Sequence, residues 1–177
     1  PPGLHRDEAF LGYNAYSILK TGQDMSGTPW PLHLPWFLYS PAGYSYAILP
    51  ALGIFDLNAF AVRFPSALFG ALTPLVAYAF LSVLFKNHSQ KTLIAVLGAL
   101  QISISPWHIN LSRTATENTL VVFFLALGTT WYVLWTQKQR LAILLLAFLS
   151  FLMPLGIYQA PRAFLPLFVP LLILLYR

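Results

Sequence analysis

Two adjacent acidic residues, Asp7 and Glu8, are the side chains in this sequence best suited to acid–base chemistry. An Asp carboxylate is ionised at neutral pH, so it can take a proton from a hydroxyl within hydrogen-bond distance. The same residues suit the start of a helix, where Asp7 would cap the first turn and Glu8 would complement the helix dipole. The sequence therefore predicts a helix over residues 8–20, ended by Gly22, and leaves the acidic pair with a catalytic or a capping role.

A second candidate site combines Arg113 with Glu117, which follows four residues later. Residues at this spacing share one face of a helix. A guanidinium and a carboxylate at a membrane boundary are costly to desolvate without partners, which makes them functional candidates. The alternative is a local ion pair at a helix end, which contributes little to stability when it is exposed. The spacing fits both interpretations.

Two further arginines, Arg63 and Arg162, are candidates for binding a phosphate. The planar guanidinium fork matches phosphate oxygens, although an arginine at this depth also commonly extends to lipid headgroups. Three histidines accompany them in the segments assigned below to the outer side, and no two have the helical spacing of metal ligands: His5, His33 and His108. A zinc site is therefore not expected.

The composition places these residues in a membrane protein. Of the 177 residues, 58% are hydrophobic and only 8% are charged, far fewer than the ~25% of a soluble domain. The net charge is +5, but the ten Lys and Arg residues are scattered singly, which argues against a nucleic-acid partner. The absence of cysteine excludes disulfides and thiolate metal sites.

Uncharged stretches long enough to cross the ~30 Å hydrocarbon layer occupy residues 64–85, 92–112, 118–137 and 141–161. Residues 163–176 form a shorter apolar stretch, which we interpret as a span cut off by the end of the chain. The sequence thus predicts an all-α membrane protein, in which residues 59–177 form a bundle of about five spans with the last one truncated.

Positive charges predict the orientation of the bundle, because Lys and Arg accumulate in cytoplasmic loops. The expected cytoplasmic residues are Lys86, Lys91, Lys138, Arg140 and Arg177, while all five acids fall on the opposite side. Residues 1–58 form the first outer segment, with interfacial helices and with aromatic residues that suit the headgroup region: Trp36, Phe37, Tyr39, Tyr44 and Tyr46. Its prolines are expected to divide residues 30–50 into short pieces.

Several short motifs occur in a recognisable order along the chain. They are Pro2-Gly3-Leu4-His5-Arg6-Asp7-Glu8-Ala9-Phe10, Gly12-Tyr13-Asn14-Ala15, Thr21-Gly22-Gln23-Asp24, Ser40-Pro41-Ala42-Gly43-Tyr44, Val62-Arg63-Phe64-Pro65-Ser66-Ala67, Ser105-Pro106-Trp107-His108, Leu111-Ser112-Arg113 with Glu117, and Tyr158-Gln159-Ala160-Pro161-Arg162. In this order the chain resembles the dolichyl- or polyprenyl-phosphate-mannose protein mannosyltransferases and their bacterial relatives, which include the aminoarabinose transferase acting on lipid A.

The resemblance implies a multispanning GT-C glycosyltransferase that moves a sugar from a polyprenyl phosphate to an acceptor hydroxyl. It makes Asp7 the general base with Glu8 beside it, and Glu117 the second acidic position, an acceptor contact or metal ligand. Several relatives have Lys where Ser40 stands, so phosphate binding falls to Arg113 or Arg162.

The expected reaction is therefore an inverting transfer on the outer face of a multi-pass cell membrane. Its partners are the polyprenyl-phosphate-linked sugar, the bilayer and an acceptor that is a protein, a glycan or a lipid. A divalent metal ion would be held by Asp7 and Glu117, and no nucleotide is needed. The alternatives are a lipid-linked substrate transporter, which would carry polar residues in mid-span, and a non-catalytic membrane scaffold.

Overall fold

Helices dominate the chain in a computed structural model that describes residues 3–35 and 40–176. Within these ranges the elements are α1 (Arg6–Thr21), β1 (His33–Leu34), β2 (Ser40–Pro41), α2 (Gly43–Phe55), α3 (Ala59–Leu84), α4 (Lys91–Ile104), α5 (Pro106–Arg113), α6 (Glu117–Lys138), α7 (Leu141–Ile157) and α8 (Ala160–Leu175). The two short strands pair antiparallel, His33 with Pro41 and Leu34 with Ser40. The predicted all-α fold class is confirmed.

Two described helices, α3 and α6, are long and apolar enough to cross a membrane by themselves. Helices α4 and α5 together pass the same test but meet at a bend of 57°, so the stretch over residues 92–112 is not one straight helix. The bend lies at Ser105, whose extended backbone and side chain cap α5, and at Pro106, which has no N–H to continue α4.

The stretch expected over residues 141–161 is divided as well. Helix α7 ends at Ile157, Tyr158 is extended, and α8 begins at Ala160 with Pro161 in its first turn. A proline in the first turn loses no helical hydrogen bond, so it favours a new helix start at this point. Both α7 and α8 are apolar but shorter than a full span. The number of about five spans therefore stays a prediction.

The first outer segment differs from its prediction in two places. His5, and not Asp7, is the N-cap of α1, because the carboxylate of Glu8 reaches back to the His5 amide at 2.8 Å and completes a capping box. Gly22 ends α1 as predicted, with φ 73°. Helix α2 continues through Pro50. Because proline has no N–H, only the Tyr46 carbonyl loses its helical donor, and the packing of buried residues such as Tyr44 and Ile48 holds the helix.

The interfacial position of α1 stays a prediction. Its buried face, which includes Leu11, Ala15 and Ile18, packs on α2 and α3, and Tyr13 is exposed on the other side. The aromatic residues Trp36, Phe37 and Tyr39 lie outside the described residues, as does Arg177.

The basic loops and the N-terminal acids lie at opposite ends of the bundle. The side-chain amide of Gln137 donates to the Val83 carbonyl at 3.0 Å, so the C-terminal ends of α3 and α6 meet. Lys86, Lys138 and Arg140 follow those ends. The other end carries α1, the starts of α3 and α6, and the junction between α7 and α8. The segregation of charge agrees with the predicted topology, while the side that each end faces stays a prediction.

A hydrogen bond from His108 fastens α5 to α3. Pro74 has no N–H, so the carbonyl of Gly70, four residues earlier, lacks its helical partner. The Nε2 atom of His108 lies 2.9 Å from this carbonyl oxygen. Since a carbonyl only accepts, the imidazole must carry its proton on Nε2.

Replacing His108 with Leu is expected to lower the free energy of unfolding by about 1–3 kcal/mol, because the buried Gly70 carbonyl is left without a donor. Thermal unfolding of the chain in detergent micelles measures this loss. The neighbouring Trp107 is largely exposed, so Trp107→Leu is the matched control. Equal melting temperatures for the two variants would contradict the role given to His108.

Candidate active site

Asp7 and Glu117 line one cavity at the acidic end of the bundle, although 110 positions separate them in the chain. The cavity has a volume of about 480 Å³, and its wall includes Phe10 of α1 and Ala115 of the α5–α6 connection. Further polar groups come from Ser40, Asn118, Tyr158 and Gln159. Hereafter this space is called the carboxylate cavity. One site is therefore formed by four separate parts of the chain. They are the start of α1, strand β2, the α5–α6 connection with the start of α6, and the α7–α8 junction.

Glu8 points away from this cavity, into the protein. Its side chain is 4% exposed, and that of its partner Arg63 is 18% exposed. The Arg63 Nε donates to Oε1 at 2.8 Å and Nη2 donates to Oε2 at 2.7 Å, which makes a bidentate ion pair. The backbone amide of Ala115 also donates to Oε1, at 2.7 Å.

These contacts join three elements at one carboxylate. Arg63 belongs to α3, Ala115 to the connection between α5 and α6, and Glu8 itself to the first turn of α1. The hydrogen bonds from Arg63 are the largest cause of the lowered pKa of Glu8, which falls from 4.5 to about 2 although burial opposes the shift. Direct participation of Glu8 in catalysis stays a prediction, and this geometry supports a positioning role for it.

A second hydrogen-bonded group holds the segment just before Glu117. Ser66 of α3 donates through Oγ to the Thr116 carbonyl at 3.0 Å and accepts from the Thr116 amide at 3.2 Å. The hydroxyl of the buried Tyr44 lies 2.9 Å from the same Ser66 oxygen. The prediction that Tyr44 lies among aromatic residues at headgroup level is wrong, because its side chain is fully buried against α3. Ser66 had no predicted role beyond its motif, although a serine inside the apolar run of α3 was a signal for such a contact.

Arg113 and Glu117 do not share a helix face, so the predicted pairing at a spacing of four is wrong. Helix α5 ends at Arg113 and α6 begins at Glu117, with an extended connection between them. Arg113 is exposed and does not line the carboxylate cavity. Since α5 is a separate short helix that begins at Pro106 and ends at Arg113, the helical spacing of four does not continue to Glu117.

Arg162 instead contacts the β1–β2 pair. Its Nη2 lies 2.8 Å from Nε2 of His33, and its Nε donates to the Leu155 carbonyl at 3.1 Å near the end of α7. A guanidinium has only donors, so His33 accepts through Nε2 in this contact. Arg162 therefore ties β1 to the α7–α8 junction, beside the cavity residue Gln159. Phosphate binding by Arg113 or Arg162 stays a prediction.

The carboxylate cavity offers oxygen ligands to a metal ion. Within residues 3–35 and 40–176, no group of three or more His, Asp or Glu side chains is close enough to hold a metal by itself. Asp7 and Glu117 supply two carboxylates, and Ser40 and Asn118 add neutral oxygens. This donor set fits Mg²⁺, which binds through one or two carboxylates together with substrate phosphates, better than it fits zinc.

A comparison with protein families identifies one model that matches residues 40–176, more than half of the chain. Its description is dolichyl-phosphate-mannose-protein mannosyltransferase. The match includes Glu117, Tyr158 and Gln159, whereas Asp7 precedes it. No curated protein and no solved structure matches the chain.

Proposed function

The chain belongs to the dolichyl-phosphate-mannose-protein mannosyltransferase family, and we propose that it transfers a sugar from a polyprenyl phosphate to an acceptor hydroxyl on the non-cytoplasmic side of the membrane. The family makes it an integral membrane glycosyltransferase of the GT-C type with a lipid-linked sugar donor. The observation that carries the proposal is the convergence of Asp7 and Glu117 on one cavity at the acidic end of the helices.

In the proposed reaction Asp7 is the general base. Its carboxylate takes the proton of the acceptor hydroxyl while that oxygen forms a bond to the anomeric carbon. The bond from the anomeric carbon to the phosphate oxygen breaks, and its electron pair leaves with the polyprenyl phosphate. One displacement of this kind inverts the anomeric configuration. The donor already carries an activated sugar, so no nucleotide is required.

The position of Asp7 depends on its neighbour Glu8. The ion pair with Arg63 and the bond from Ala115 fix the first turn of α1 against α3 and the α5–α6 connection. Asp7 belongs to the same turn and lines the carboxylate cavity together with Glu117. Such fixed geometry matters because an error of about 1 Å in the position of a catalytic group costs about 10²-fold in rate.

Charge on the departing phosphate requires a cationic partner, for which Arg113 and Arg162 are the candidates. Arg113 is exposed two residues before the cavity residue Ala115, and Arg162 lies three residues after Gln159. A phosphate bound by Arg162 would compete with His33 for its Nη2 donor.

Reconstitution of the chain in proteoliposomes with polyprenyl phosphate carrying a radiolabelled sugar tests this function. Transfer predicts label in a hydroxyl acceptor together with release of unlabelled polyprenyl phosphate. A transporter would instead move the intact labelled lipid between leaflets. Movement of the intact lipid without release of polyprenyl phosphate would overturn the proposal, as would the absence of both activities with mannose and other sugar donors.

Replacing Glu117 with Gln is expected to lower kcat by about 10–10²-fold, because the cavity loses one of its two carboxylates. Initial rates at saturating donor measure the effect, with Asp56→Asn, which is exposed and lies outside the carboxylate cavity, as the control. If a divalent ion takes part, EDTA lowers the wild-type rate and Mg²⁺ restores it, whereas Glu117→Gln needs more Mg²⁺ for half-maximal recovery. A rate equal to wild type would remove Glu117 from the site.

A further inference from the structure

Asp7 stands between two cavities. On one side lies the carboxylate cavity, and on the other lies a second space of about 590 Å³ between α1 and the loop that follows it. Asp7 and Phe10 line both spaces. The remaining wall of the second space is largely apolar and includes Ala9, Tyr13, Met25 and Pro35. We call it the Met25 cavity.

The side chains of Asn14 and Ser26, two of the polar residues that line the Met25 cavity, are occupied by internal hydrogen bonds. Asn14 donates to the Phe10 carbonyl at 2.9 Å and accepts from the Met25 amide at 3.2 Å. Ser26 donates to Asp24 at 2.6 Å, and this carboxylate also accepts the Thr28 amide at 2.9 Å. The same bonds hold the loop in place against α1. A ligand in this cavity therefore meets apolar surface, the Tyr13 side chain with its hydroxyl, and the two charged residues Asp7 and Arg6.

We propose that the Met25 cavity binds the acceptor, and that the reacting hydroxyl is carried by an apolar or aromatic body. This inference rests on the proposed function, in which Asp7 must touch the acceptor hydroxyl. The donor brings a phosphate and several sugar hydroxyls, which suit the polar carboxylate cavity. The acceptor then approaches Asp7 from the other side.

The lining of the Met25 cavity decides the class of acceptor. A polyhydroxylated acceptor would bury hydroxyl groups beside Phe10, Tyr13 and Met25, where most of them find no partner. An apolar body gains free energy by leaving water, and its one hydroxyl can donate to Asp7. The proton of that hydroxyl passes to Asp7 as the new glycosidic bond forms.

Acceptor kinetics provide the first test. With the same labelled donor, 2-phenylethanol should show a KM at least tenfold below that of glycerol, which carries the same primary hydroxyl. Met25→Gln should raise the KM for 2-phenylethanol about 3–10-fold and leave kcat and the donor KM unchanged. Leu32 is an exposed apolar residue of the same segment outside the cavity, so Leu32→Gln is the matched control. Transfer without any preference between the two alcohols would overturn the inference and leave the proposed function intact.

A binding measurement separates the inference from the activity. The chain in proteoliposomes is irradiated with 4-(hydroxymethyl)benzophenone, an aromatic alcohol, and labelled residues are mapped by mass spectrometry. We expect labelling at Met25 or Tyr13 that 2-phenylethanol suppresses at least fivefold and glycerol does not. Met153, exposed on α7, reports non-specific labelling and should not respond.

The two experiments distinguish the possible failures. Suppressible labelling at Met25 without any sugar transfer would support the ligand class and overturn the proposed function. Labelling at Met25 that responds no more than labelling at Met153 would overturn the inference, whether or not transfer occurs.

Discussion

Replacing Asp7 with Asn lowers kcat for sugar transfer by about 10²–10⁴-fold and leaves the chain folded, which is the range expected when a general base is removed. The fold should survive because the Asp7 side chain is 69% exposed and lies 3.8 Å from Nδ1 of His5, beyond hydrogen-bond distance. The Asn side chain keeps the shape of Asp but cannot take the acceptor proton. Initial rates in proteoliposomes with saturating labelled donor measure the change.

Asp56→Asn is the matched control for this variant. Asp56 is also exposed and lies outside both cavities, and Asn keeps the size and shape of the Asp side chain at this C-cap of α2. It should retain the wild-type rate and melting temperature. Turnover by Asp7→Asn at the wild-type rate would remove Asp7 from the mechanism, because no other carboxylate on the first turn of α1 faces the carboxylate cavity in the described part of the chain.

Replacing Glu8 with Ala is expected to destabilise the fold by about 3–5 kcal/mol, because it removes the carboxylate that pairs with the largely buried guanidinium of Arg63. The amides of His5 and Ala115 lose their acceptor at the same time. Thermal unfolding in detergent micelles measures the loss. The double variant Glu8→Ala/Arg63→Ala completes a mutant cycle, in which the coupling between the two residues should account for much of the effect.

The same ion pair predicts how stability depends on pH. The pKa of Glu8 is about 2 in the folded protein and 4.5 ordinarily, and the hydrogen bonds from Arg63 are the main cause of the difference. A lowered folded pKa contributes stability that is fully present above pH 4.5 and disappears as the pH falls towards 2. The contribution is about 3 kcal/mol at most.

Melting temperatures between pH 6 and pH 3 test this dependence. Wild type should lose stability more steeply than Glu8→Gln, whose side chain does not titrate, and Asp56→Asn should follow wild type. Parallel curves for wild type and Glu8→Gln would contradict the structural role of the ion pair. If Glu8 instead reacted directly with substrate, its replacement would lower kcat and leave this pH dependence unchanged.

The sequence by itself determined the features that depend on local chemistry. Its long apolar runs predicted an all-α membrane protein, and the glycine at position 22 correctly ended α1, since both follow from neighbouring residues. The N-cap was predicted wrongly as Asp7, because His5 and Asp7 lie within one turn and the capping box that Glu8 forms with His5 makes His5 the N-cap. The family was identified from the order of short motifs, and the match over residues 40–176 agrees with it.

Contacts between residues far apart in the sequence determined how the side chains of the candidate site are arranged. Nothing in the residues beside Glu8 indicates that Arg63, 55 positions away, and Ala115, 107 positions away, turn its carboxylate inward while Asp7 stays exposed. Arg113 and Glu117 were expected on one helix because the spacing alone does not reveal the extended connection between α5 and α6. The position of His108 likewise depends on the Gly70 carbonyl that Pro74 leaves free. Hydrogen bonds and ion pairs between distant elements form only when the helices pack together, so the tertiary structure alone decided that Asp7 lines one cavity with Glu117 and that Glu8 does not.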